Sequence, residues 1–140
     1  MKLSRAKEII RTAQDIKQNW GDNPFKIADY LGINLIFSPA KEPAGKIYKV
    51  GNYPAVISIS GCTTDAGKIV MCAHELGHFF LHDGINNFDG TYTYDSISDA
   101  TEHEANLFAV ALLFNEDDFN MPIIQMQNYI LKGILDYNLP

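Results

Sequence analysis

Residues 64–82, TDAGKIVMCAHELGHFFLH, decide how the rest of the chain is read. Ile69, Val70, Ala73, Leu76, Gly77 and Phe80 recur at helical spacing, so the stretch predicts a helix. Thr63 or Thr64 can cap its start, Asp65 suits the positive end of the helix dipole, and Gly84 suits a stop. Within it stands His74-Glu75-Leu76-Gly77-His78, an H-E-x-x-H. Residues four apart share a helix face one turn apart, so His74 and His78 can both present a nitrogen to one metal ion. Glu75 is one residue round the helix, better placed to hold a water than to ligate. This is the pattern of a hydrolytic zinc site. Two buried histidines with a surface Glu would be the plainer alternative. Apolar residues on both flanks put the motif in a core wall and favour the metal.

The bulk properties narrow the field around that motif. A chain of 140 residues with 46% hydrophobic residues can form one domain with a single core. A formal charge of -6 argues against a surface built for nucleic-acid phosphate, so no direct DNA contact is expected. Cys62 and Cys72 make no disulfide framework and are expected as reduced thiols, with Cys72 pointing away from the metal face. Residues 1–11 lack the apolar run of a signal peptide and no segment approaches membrane-span length, so a cytoplasmic protein is expected.

A first helix is expected from a Ser4 cap to about Trp20, with Ile9, Ile10, Ala13 and Ile16 inward and Lys7, Arg11 and Lys17 solvated. A short helix over 24–31 begins on Asn23-Pro24 and stops at Gly32. Residues 33–37 read as a strand, and residues 46–50 and 55–60 as an antiparallel hairpin across Gly51-Asn52. The last of these strands leads straight into the metal helix, where it could pair with an extended peptide or serve as an ordinary sheet strand. Residues 83–98 read as a loop beside the site, from which Tyr92 or Tyr94 could reach an oxyanion. A second long helix starts at Ser98 or Asp99, with Ala105, Phe108, Ala109, Leu112 and Leu113 as its apolar stripe and small residues at 105, 109 and 111 for close approach. A last amphipathic helix is expected from Pro122 to about Tyr137, with Ile123, Met126, Ile130 and Ile134 inward.

A catalytic zinc takes three protein ligands and leaves a position open. The candidates for the third are His82, Glu102, His103 and Glu104. On a continuous helix His82 lies about 12 Å along the axis from His74, too far for one ion, and is expected to close the helix end against a carbonyl. Glu104 points about 200° round the second helix from Glu102, so both cannot face the metal. Glu102 is preferred over Glu104, and both over His103. Asn106, one turn after Glu102, could orient a ligating imidazole through its second nitrogen.

His74-Glu75-Leu76-Gly77-His78, the trailing His82, and residues 102–113 (EHEANLFAVALL) together resemble the ImmA/IrrE family of metallopeptidases. The likeness covers roughly residues 23–120, with Phe114-Asn115 where the family usually has Met-Pro. It implies an α+β, zincin-like fold: a small antiparallel or mixed sheet packed on the H-E-x-x-H helix and a second, ligand-bearing helix. It implies Zn2+ held by His74, His78 and Glu102, Glu75 as general base, and Asn106 where related zincins place a helper residue. One domain is expected over residues 1–140: an N-terminal helix over 1–22, a core with both motifs over 23–120, and a C-terminal helix over 121–140. The implied function is a narrow-specificity endopeptidase that cuts a helix-turn-helix repressor of a mobile element or stress regulon. A non-catalytic antirepressor or toxin–antitoxin partner is the alternative.

Overall fold

A computed structural model of the protein describes residues 1–82, 91–92 and 99–137. The described chain is α+β. In order it runs α1 (Leu3–Trp20), α2 (Pro24–Tyr30), β1 (Asn34–Ser38), β2 (Gly45–Val50), β3 (Val56–Ser60), α3 (Asp65–Leu81), β4 (Thr91–Tyr92), α4 (Asp99–Leu113) and α5 (Asn128–Tyr137).

Helix α1 forms because Ala6, Ile9, Ala13 and Ile16 fall on one face and are buried there. Its N-cap is Lys2, without a side-chain bond, so Ser4 lies inside the helix and is not its cap. Lys17 is less solvated than expected: its Nζ donates to the Phe114 carbonyl at 3.1 Å, tying α1 to the end of α4. Helix α2 opens on Asn23, whose side chain accepts from the N–H groups of Phe25 and Lys26, with Pro24 in the first turn.

The sheet has the order β1-β3-β2-β4. β3 is its centre, parallel to β1 and antiparallel to β2. Both of its hydrogen-bonding edges are therefore taken, so of the two alternatives it is the ordinary sheet strand and does not receive a peptide. β3 turns Ile57 and Ile59 into the core while Val56 and Ser58 are only partly covered. Within the stretch expected to be loop, Thr91 and Tyr92 pair with Val50 and Lys49.

Helix α3 is buried on every side over residues 72–78, because it lies against β2, β3, α2 and α4 together. Helix α4 is likewise buried throughout residues 105–112, packed by α3, α1 and α5. An all-round apolar helix belongs in the middle of a domain. The C-terminal helix begins later than expected. Ile123–Gln125 form a 3-10 turn, Met126 is extended, and α5 starts only at Asn128, burying Leu131, Ile134 and Leu135. Ile130, expected inward, is only partly covered. Among the described residues no helix is long and apolar enough to cross a membrane.

Candidate metal centre

The Thr64 side chain accepts from the Gly67 N–H at 3.0 Å and starts α3 in the register that carries His74 and His78 into the core. Their rings meet edge to face with centroids 4.8 Å apart, and their Nε2 atoms stand 3.2 Å from each other. Glu102, in the first turn of α4, closes the triangle. One carboxylate oxygen is 3.0 Å from His78 Nε2 and the other 3.1 Å from His74 Nε2. Donor atoms on a tetrahedral zinc, at roughly 2.0–2.1 Å from the ion, stand about 3.3 Å apart. The three donors are thus spaced for an ion of that size. Among the described residues they are the group whose ligand atoms lie within 4.8 Å of one another.

The electrostatics suit cation binding. Burial pushes the His78 imidazole down to about 3, against the raising effect of the neighbouring Glu102 carboxylate, so the ring stays neutral at ordinary pH. Burial opposes charge on Glu102, but the neighbouring His74 and His78 rings outweigh this and hold the carboxyl well below the usual range. A neutral imidazole and an ionised carboxylate are the states a metal needs.

Glu75 is 1% exposed. A Cβ built on Gly45 would lie 3.1 Å from Glu75 Oε1 and 2.6 Å from Met71 Cε. The bare backbone of Gly45 is what lets the start of β2 lie against this carboxylate.

Each imidazole is also held from behind. Asn106 Oδ1 is 2.8 Å from His74 Nδ1, while Asn106 Nδ2 donates to Asn128 Oδ1 at 2.7 Å. Behind His78 the arrangement departs from expectation. The His82 ring does not close the helix end on a carbonyl; its Nδ1 lies 2.8 Å from His78 Nδ1 and its Nε2 2.9 Å from Glu104 Oε1. Glu104 in turn accepts from Arg5 Nη2 at 2.8 Å and Nε at 3.1 Å. Glu104 therefore faces α1 and His82, away from the metal. His103 is engaged elsewhere too, its Nε2 donating to the Met126 carbonyl at 3.2 Å.

A cavity of about 480 Å3 opens beside the centre, lined by Met71, His74, Glu102, Asn106, Asn128 and Lys132 among others. A larger one, about 840 Å3, adjoins it along α3 and shares Ala44, Val70, Met71, Leu135 and Asp136. The part of α5 as a wall of this cleft was missed from the sequence, where its apolar residues pointed only to packing. His82 was missed as a partner of His78, although its position one turn further on was the available signal. The Tyr92 and Tyr94 side chains, and residues 83–90 and 93–98, lie outside the described residues.

Residues 28–134 match the model of peptidase family M78, described as the IrrE N-terminal-like domain. The chain belongs to the ImmA/IrrE family of metallopeptidases. It is 36% identical over 99 residues to uncharacterized immunity region protein 2 of Bacillus phage phi105, a match covering 70% of this chain and 62% of that protein. It is 36% identical over 71 residues to metallopeptidase ImmA of Bacillus subtilis strain 168, covering 50% of this chain and 42% of that protein. The chain thus spans less than two thirds of the curated relatives it matches. No solved structure matches. Family membership implies a metal ion, and His74, His78 and Glu102 form a possible ligand group for it.

Proposed function

We propose that the chain is a zinc-dependent endopeptidase of narrow specificity, a single zincin-like domain over residues 1–140 acting in the cytoplasm. One observation carries this reading: His74 Nε2, His78 Nε2 and the Glu102 carboxylate converge within 4.8 Å of one another beside the buried Glu75. When bound, zinc supplies a Lewis acid that brings the pKa of water towards 7 and polarises a peptide carbonyl. His74, His78 and Glu102 hold the ion, and Asn106 orients His74. Glu75 takes a proton from the attacking water and returns it to the leaving amine. Packing against Gly45 fixes the Glu75 carboxylate for both transfers.

The substrate is a helix-turn-helix repressor of a mobile element or stress regulon, bound in the cleft between α3 and α5. The immunity-region name of the phage relative and the metallopeptidase name of ImmA support this choice. The test is incubation of purified wild type and E75Q with the repressor encoded beside the gene. Wild type should cut it, and E75Q should retain metal yet cut at least about 100-fold more slowly. Cleavage by E75Q at the wild-type rate would overturn the assignment.

A further inference from the structure

Three helices contribute to a chain of bonds that ends on His78: Arg5 from α1, Glu104 from α4, and His82 just past the end of α3. We infer that Arg5, Glu104 and His82 form a directional relay that fixes which nitrogen of His78 carries hydrogen, and so presents a lone pair at the centre. This rests on the metal-site reading given above.

Each link dictates the next. Arg5 can only donate, and it donates through Nε and Nη2 to both oxygens of Glu104. A carboxylate held in this way is an acceptor alone. The His82 Nε2, 2.9 Å from Glu104 Oε1, must then carry the hydrogen and donate it. In a neutral imidazole this leaves the lone pair on His82 Nδ1. That atom faces His78 Nδ1 at 2.8 Å, a distance that requires one hydrogen between them. His78 Nδ1 supplies it, and the His78 lone pair is left on Nε2. Nε2 is the nitrogen that faces His74 and Glu102.

The His78–His82 end of the relay lies where water cannot readily replace it, since His78 is 0% and His82 6% exposed. It also fixes the plane of the His78 ring, because a bond to Nδ1 resists rotation. His82 is thus a positioning residue: it touches no substrate and acts through His78. The partners of metal-bound histidines commonly set tautomer and orientation, and their loss costs about 10–100-fold in metal affinity.

The direct test reads the tautomers by nuclear magnetic resonance of zinc-treated protein with isotope-labelled histidine. His78 is expected with hydrogen on Nδ1 and His82 with hydrogen on Nε2. Competition titration with a chelator then compares zinc binding by His82→Leu and His82→Asn. The Leu variant should bind about 10–100-fold more weakly. The Asn variant, whose amide oxygen can accept from His78 Nδ1, should recover to within a few-fold of wild type. Hydrogen found on His78 Nε2 in the wild type, or unweakened zinc binding by a folded Leu variant, would overturn the relay. A wild type that shows the expected tautomers but binds no zinc would support the relay and count against the metal-site reading instead.

Discussion

Gly77 and Ala105 bring α3 and α4 together at their backbones. A Cβ on Gly77 would lie 3.1 Å from both the Cα and the carbonyl oxygen of Ala105, and 3.2 Å from the Phe108 ring. Gly77 immediately precedes His78, and Ala105 follows Glu102 by three residues, so this contact sets how near the carboxylate comes to the imidazoles. Gly77→Ala should push the helices apart, cost about 1–3 kcal/mol of stability, and weaken metal binding with it. Urea unfolding and a zinc titration check both, and a variant unchanged in each would mean that the close approach is not needed.

Asn106 couples the centre to α5. Its side chain holds His74 Nδ1 and donates to Asn128. Asn106→Ala leaves both partners short of a bond, so zinc affinity should fall by about 10-fold or more. Competition with a chelator measures it, and full wild-type affinity would show that packing alone orients His74.

Glu104 should leave a mark on acid stability. Burial works against its charge, but bonds to Arg5 and His82 outweigh this and lower its pKa. A carboxyl lowered on folding adds stability above its unfolded pKa, roughly 4.3, and loses it as pH falls through the folded value. Wild type should therefore exceed E104Q in stability at neutral pH, with the gap closing under acid. Urea unfolding across that pH range tests this, and a gap that widens as pH falls would contradict it.

The two cysteines should differ sharply towards a thiol reagent. Cys62 is exposed, whereas Cys72 is buried and its thiol is pushed up to about 12 by burial and by the nearby Glu75. One thiol per folded chain should react at neutral pH and both after unfolding, as mass spectrometry would count.

Local signals in the sequence carried much of this architecture. The Thr64 cap and the apolar spacing fix α3, and the four-residue step between His74 and His78 fixes their common face, because both depend only on helix geometry. Long-range pairings were not legible. β1 follows the turn after α2 and pairs in parallel with β3, leaving β2 to flank the other side, and no turn residue encodes that order. Pro122 looked like a helix start, yet the chain makes a 3-10 turn and an extended Met126 first, since burial of Ile123 and Met126 outweighs helical continuity there. His82 illustrates the limit most clearly. Its distance from His74 sets it apart from the proposed ligands, but its partner Glu104, and Arg5 behind Glu104, come from two other helices.

The central claim is that His74, His78 and Glu102 hold one zinc. Elemental analysis of wild type, H74A, E102A and E75Q, each dialysed against zinc and then washed free of excess, tests it most directly. About one zinc per chain in wild type and E75Q, and little in H74A and E102A, is the predicted result. Zinc lacking from wild type, or held undiminished by E102A, would contradict it.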